Sequence, residues 1–366
     1  MIKVTLSNGI LKKITSIDAN RFSLSTIELP PMTKNRLRKN SKKKSSYASN
    51  KIEGNPLTEK QAEEVIERDE HKHFLKPEQE IRNYFLALNL LEEKLKKREV
   101  FSKKMILEVQ AMVEKGASKE KIGLRGPMPP GILFAVYDSV IGAPEYIPPE
   151  YSEIPELLDE LVDYVNTTDD HPLIIAAIVH YQLVTIHPFE DGNGRTARLM
   201  SGYILDFYGY GFHGIGSLEE YFAYDSDEYY QSLQMGLPAL YYSGRENPPH
   251  PEIWVNYFLH MVELYSKKVC EISQGEQEED IEGSLSYLNM KEKEMLLILL
   301  KKRLREFTPI EVSKLMGVTN KTIINRCANL ANNGFIVPNI VNQRIRSYSL
   351  SEFTKRNEKA IISRIS

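Results

Sequence analysis

The stretch that decides the reading of this chain is His187-Pro188-Phe189-Glu190-Asp191-Gly192-Asn193-Gly194-Arg195-Thr196-Ala197-Arg198. An apolar run from Leu173 to Ile186 precedes it and ends at His187-Pro188, where proline disfavours further helix. Gly192, Asn193 and Gly194 tolerate left-handed backbone. Helix is expected to resume near Arg195 and to run to Phe207. Successive amide N–H groups in such a turn, at the opening of a helix, form an anion-binding nest.

The side chains around the turn add chemistry. Arg195 and Arg198 are three residues apart, so they project from neighbouring points of one helical turn. Their forked donors suit phosphate oxygens. Asp191 brings one carboxylate, and Mg2+ is commonly held by one or two carboxylates together with substrate phosphates. His187 has an unperturbed pKa of about 6.5, suited to proton abstraction near neutral pH. A base, a metal ligand, a nest and two cations make a kit for phosphoryl or nucleotidyl transfer. This is not a Walker A loop, which needs Gly-x-x-x-x-Gly-Lys-[Ser/Thr]. A His-Pro pair alone is ordinarily a helix cap, and His171-Pro172 is read that way.

The twelve residues match the Fic signature His-x-Phe-x-[Asp/Glu]-Gly-Asn-Gly-Arg-x-x-Arg at every fixed position, and the chain resembles the Fic family over roughly residues 20–270. The resemblance implies a mainly α fold: a helical Fic core with a β-hairpin flap, the flap falling on Ile132 to Ile147. It implies that His187 deprotonates a target hydroxyl and that Asp191 ligates Mg2+. Gly192, Asn193, Gly194, Thr196 and Ala197 would line the phosphates of ATP, the co-substrate. Arg195 and Arg198 would hold those beyond the attacked α-phosphorus, and Phe189 would anchor the loop in the core. Tyr229 or Tyr230 would border the base; ordinary core aromatics are the alternative. The flap would clamp an extended segment of a target protein bearing a Tyr, Thr or Ser hydroxyl.

A second motif is Ser49-Asn50-Lys51-Ile52-Glu53-Gly54-Asn55-Pro56. Ser49 and Glu53 share one face of a short helix, and Gly54 suits its left-handed stop. Thr58 and Gln61 are placed to form a capping box for the next helix. The segment resembles the Fic inhibitory motif [Ser/Thr]-x-x-x-Glu-[Gly/Asn]. In that resemblance Glu53 pairs with Arg198 and blocks the productive pose of ATP. In some similar proteins this glutamate positions water to remove AMP, so transferase, hydrolase, or both remain open.

Beyond this region the acidic stretch 271–283 carries no Lys or Arg and is expected to link two domains, 1–270 and 284–366. The last 83 residues hold 15 Lys/Arg against 6 Asp/Glu. Their pattern of Lys291–Lys302, Pro309–Met316 and Lys321–Asn332 followed by two short strands resembles a winged helix-turn-helix. Lys321, Arg326, Arg344 and Arg346 would contact phosphates if it binds DNA, with Asn320 and Asn325 near base edges. Docking of protein is the equal alternative. The basic tract Arg36–Lys44 reads as a solvated arm, and His71-Lys72-His73 lacks a third ligand for zinc.

Composition is that of an ordinary soluble protein: 366 residues, net charge -3, two cysteines. The lack of an apolar leader and the scarcity of cysteine favour the cytoplasm. No membrane association is expected, and Fic relatives suggest a homodimer and self-modification. The leading expectation is a protein adenylyltransferase autoinhibited by Glu53. The competing one is a DNA-binding regulator whose Fic site senses nucleotide without turnover.

Overall fold

The computed structural model describes residues 2–29, 31–68, 73–118, 122–132, 134–137, 144–237, 248–341 and 344–365. The expected flap tip at 138–143, His71 and Lys72, and residues 342–343 of the expected wing lie outside these. The chain divides into two compact units, Met1–Thr26 with Pro30–Glu271, and Ile27–Leu29 with Ile272–Ser366.

The first unit is helical. In chain order it holds α1 (Asn8–Ser25), α2 (Pro31–Ile52), α3 (Glu59–Glu67), α4 (Lys76–Lys96) and α5 (Lys103–Glu114), then the strands β1 (Val136–Tyr137) and β2 (Pro144–Tyr146). There follow α6 (Ile154–Thr167), α7 (Pro172–Ile186), α8 (Asn193–Phe207), a 3-10 turn (Phe212–Gly214), α9 (Glu219–Tyr224), α10 (Ser226–Gln234) and, as far as Glu271, α11 (Pro251–Ser286). The mainly α architecture with a small hairpin is thus the one the sequence led us to expect.

The centre of the unit is α7. Its residues are apolar on every side, and all but Pro172 and Val184 are buried. A helix apolar all round must be enclosed by others. Its buried His180 has a partner, and one of its backbone carbonyls is taken by a side chain from α11. His180 Nε2 lies 2.8 Å from the Tyr229 hydroxyl, and the Trp254 indole N–H donates to the Ala177 carbonyl at 2.7 Å. The N-terminus of α7 is capped by His171, whose Nδ1 accepts from the Leu173 N–H. Against α7 packs α8, so the six residues between them are pinned at both ends.

Two expectations are corrected. The tract Arg36–Lys44 is no solvated arm. It belongs to the 22-residue helix α2, which also makes the expected short helix at Ser49 a long one. Its basic side chains meet acids on neighbouring helices: Lys42 pairs with Glu92, Lys43 with Glu67 at 2.6 Å and Lys44 with Glu220 at 3.0 Å. The stretch 271–283, expected as a linker, is helical within α11, because Glu and Gln are good helix formers whatever their net charge.

In the hairpin, Val136 pairs with Tyr146 and Tyr137 with Pro144, antiparallel. The Tyr146 hydroxyl bonds the Thr185 carbonyl, tying the hairpin to the end of α7.

The second unit contains α12 (Met290–Lys301), β3 (Glu306–Phe307), α13 (Pro309–Met316), α14 (Asn320–Asn332), β4 (Ile336–Val341), β5 (Arg344–Leu350), α15 (Glu352–Arg356) and α16 (Glu358–Ile365). Its three strands form an antiparallel sheet in the order β3-β5-β4. Thr319 caps α14 by accepting from the Thr322 N–H. Met295, Leu299, Val312, Ile323, Leu330 and Phe335 make its core. Cys270 and Cys327 are free and buried.

Candidate active site

The loop between α7 and α8 is built by conformations that few residues adopt. His187 is left-handed (φ 48°, ψ 59°) and Gly192 likewise (φ 82°). Asn193 locks the loop from inside: its side chain accepts from the Phe189 N–H at 3.0 Å and donates to the Phe189 carbonyl at 2.9 Å. Phe189 is fully buried beneath it. Gly192 is required twice over, because a Cβ there would stand 2.5 Å from Glu114 Oε1.

His187 is half-buried, and its Nδ1 lies 3.2 Å from the Val184 carbonyl. A carbonyl can only accept, so Nδ1 carries the proton and Nε2 is left as the basic nitrogen. Burial is the main cause that depresses its pKa to about 4; the Val184 bond opposes this and Arg125 adds to it. The imidazole is therefore neutral at pH 7, as a proton acceptor must be. Arg125 holds the bend from outside, donating Nε–H to the His187 carbonyl at 2.8 Å and its backbone N–H to the Pro188 carbonyl at 2.9 Å. Phe134 lies 5.9 Å from the His187 ring, with Arg125 over its face.

Both arginines of the loop are buried. Arg195 meets Glu114 Oε1 at 2.9 Å and Asp191 Oδ1 at 3.0 Å through one nitrogen, with Glu80 at 3.9 Å from the other. Its Nε and second terminal nitrogen have no hydrogen-bond partner among the described residues, nor has the Thr196 hydroxyl. Buried donors without partners are rare and point to a missing acceptor. Asp191 also accepts from the Gly192 N–H at 2.7 Å.

Arg198 is fully committed. Its Nε donates to Ser49 Oγ at 2.8 Å, and one terminal nitrogen donates to the Ser49 carbonyl at 3.0 Å and to Glu53 Oε1 at 2.6 Å. The other reaches the Tyr229 hydroxyl at 3.4 Å. Glu53 follows the last turn of α2, with Gly54 left-handed (φ 78°) behind it. Its carboxylate lies so close over Gly194 that no side chain could stand at 194 without moving it. Burial raises the carboxyl pKa, but Arg198, Arg195 and His187 together hold it below the ordinary value.

The sequence-predicted residues Ser49, Glu53, His187, Asp191 to Arg198 and Tyr229 thus meet in one place. Tyr229 is buried between His180 and Arg198, on the arginine side of the site. Tyr230 is exposed, its hydroxyl 3.4 Å from the Ile52 carbonyl beside Glu53. Ala197 is core. Sequence reading passed over Glu114, Glu80 and Arg125. Each is distant in the chain and carries no local signal; only packing brings them to the loop. Asn55 joins the two motifs, donating to Glu80 at 2.8 Å while Glu80 faces Arg195.

Among the described residues no cluster of three His, Cys, Asp or Glu could hold a metal alone. Asp191 offers a single, partly exposed carboxylate, which fits a Mg2+ whose remaining ligands are substrate phosphates and water.

This geometry sets a glycine-opened helix N-terminus, with two buried arginines, beside a neutral imidazole. Residues 100–205 match the Fic/DOC family model. Protein adenylyltransferase Fic of Drosophila willistoni is 30% identical over 211 residues, covering 54% of this chain and 39% of that protein; the Drosophila melanogaster relative gives the same figures. A solved Fic family protein from Desulfovibrio desulfuricans G20 superimposes with a TM-score of 0.58 at 20% identity, over 96% of this chain and 98% of that one. Fic-1 from C. elegans gives 0.55 at 26% identity, over 73% and 72%. The chain therefore carries a Fic/DOC domain, and the matches support a Fic family protein. It spans about 39% of the length of the curated relatives it matches.

Among the described residues no helix is long and apolar enough to cross a membrane.

Proposed function

We infer that the chain is a protein adenylyltransferase that moves AMP from ATP to a hydroxyl side chain of a target protein. The observation that carries this is the pair of Arg195 donors orphaned among the described residues at the glycine turn, next to an imidazole whose Nε2 has no hydrogen-bond partner among them. A polyphosphate would satisfy those donors and the amides of the turn together. The target oxygen attacks the α-phosphorus, its proton passes to His187 Nε2, and the bond to the β-phosphate breaks with release of pyrophosphate. Mg2+ held by Asp191 would neutralise the phosphate charge. The names of the Drosophila relatives support AMP as the group moved.

We read Glu53 as a brake. It takes one terminal nitrogen of Arg198 and covers Gly194, both of which the triphosphate needs. Removal of AMP by water positioned on Glu53 is compatible with the same geometry. We read the second unit as a winged helix, from its order of helices and its β3-β5-β4 sheet. Asn320, Lys321, Asn325, Arg344 and Arg346 are exposed on it, which keeps DNA as a candidate partner. A gel shift with mixed duplexes at low and high salt tests that; salt-insensitive or absent binding favours protein docking.

The test of the main reading is intact mass after incubation of Glu53→Gly protein with ATP and Mg2+. A gain of one AMP, absent in Glu53→Gly/His187→Ala, supports it. Equal labelling of wild type and both variants sinks both assignments.

A further inference from the structure

Next to the candidate active site, whose Arg198 also lines it, the first unit holds a cavity of about 610 Å3 walled by α1, α2, α4, α8, the 209–216 loop and α9. Small-molecule sites run from about 300 to 1,000 Å3. Gly202 opens it. This residue lies inside α8, where glycine is a poorer helix former than alanine. A Cβ there would meet no atom within 4 Å. Nothing in the described packing therefore demands glycine, and the space it leaves belongs to the cavity.

One turn further along the same face, Asp206 also lines the cavity. Its carboxylate is set against Gly211 so tightly that only glycine fits there. The Asp206 carboxylate makes no hydrogen bond or ion pair with any described residue; only the backbone carbonyl is used, by the Gly209 N–H at 3.1 Å and the Tyr208 N–H. Asp206 is exposed to water where it lines the cavity. Glu219 on α9 and Glu92 on α4 face it, and so do Arg38 and Lys42 on α2.

Most of the other charges are already engaged. Lys42 binds Asn89 and Glu92, and Glu219 binds Ser45, Tyr84 and Ser217. Arg38 differs: only its Nε is used, on the His213 carbonyl, and its two terminal nitrogens have no partner among the described residues. Leu88, Leu91 and Leu95 line the cavity from α4, an apolar stripe at helical spacing.

We propose that this cavity is a binding site for a small amphipathic zwitterion of amino-acid type, its ammonium on Asp206, its carboxylate on Arg38 and a bulky apolar side chain along Leu88, Leu91 and Leu95. An apolar guest would leave both charged groups without partners. A simple amine would leave the guanidinium fork empty, and a simple anion would leave the carboxylate so. The proposal does not depend on nucleotide transfer.

Saturation-transfer NMR on the full chain tests it with three probes: L-phenylalanine, phenethylamine and 3-phenylpropionate. L-phenylalanine gives a saturable signal, and the two truncated probes bind at least ten-fold more weakly. Asp206→Asn and Arg38→Gln each weaken L-phenylalanine at least ten-fold. Gly202→Leu fills the cavity and abolishes the signal; it raises helix propensity and meets open space, and an unchanged melting curve excludes unfolding. No signal from L-phenylalanine at millimolar concentration, or a signal that survives Gly202→Leu, overturns the site. Equal signals from all three probes overturn the zwitterion.

Discussion

Glu53 and Arg198 meet at 2.6 Å, but they are held unequally: the arginine side chain is 1% exposed and the glutamate 32%. Arg198 is also bound by Ser49 and Tyr229, whereas the Glu53 carboxylate is held mainly by Arg198 itself, with Arg195 next. The glutamate is therefore the partner that can leave. Hydrogen bonds to charged groups contribute about 1.5–3 kcal/mol, or roughly ten- to a hundred-fold in an equilibrium. Glu53→Gly is expected to raise productive ATP use by at least about ten-fold on that basis. Initial rates of labelled AMP incorporation, read against wild type, check this; an unchanged rate removes the brake from the account.

The acid limb of the reaction follows from His187. Its pKa is depressed to about 4, below the ordinary 6.5, so the base stays unprotonated until the medium is strongly acidic. AMP transfer by Glu53→Gly protein should hold nearly constant from pH 8 down to pH 6 and fall only below about pH 5. A midpoint near 6.5 in the pH–rate profile would show an ordinary, solvated histidine instead.

Glu114 gives a stability signature. It is 1% exposed and its carboxyl is pushed up to about 7, burial being the main cause and Arg195 acting against it. Between the usual carboxylate pKa and 7 the folded chain keeps a proton that the unfolded chain has released. Stability contributed by this group therefore declines as pH rises through that window, by about 1–3 kcal/mol. Urea denaturation of wild type from pH 5 to 8 should show the decline, and Glu114→Gln should flatten it. A parallel decline in both proteins would locate the titration elsewhere.

Gly192→Ala tests the turn. Alanine in left-handed backbone costs about 1–2 kcal/mol. Its Cβ would also press on Glu114. The variant should lose at least that stability in urea melts and bind ATP more weakly. Gly202→Ala serves as the control, with no loss.

Tyr229→Phe removes one hydroxyl that serves both His180 and Arg198. Leaving buried partners unpaired costs about 1–3 kcal/mol. A melting temperature within error of wild type would show that the hydroxyl holds neither.

How far the sequence could be read depended on range. The loop from His187 to Arg198 was legible because its glycines, proline and charges act within one turn of backbone. So was the Thr58–Gln61 capping box, whose two reciprocal bonds are both present. The charge of Arg36–Lys44 misled, because the acids that neutralise it sit on α3, α4 and α9. Glu114 and Arg125 were invisible for the same reason: their roles exist only once α5 and the segment after it are folded against the loop.

The six residues from His187 to Gly192 join two helices that are largely buried and pack against each other. In the proposed reaction the acceptor of the proton and the holder of the phosphates are thereby mounted on a single frame. Their spacing is preset by α7 and α8 and does not depend on where Glu53 or β1–β2 stand when a substrate arrives.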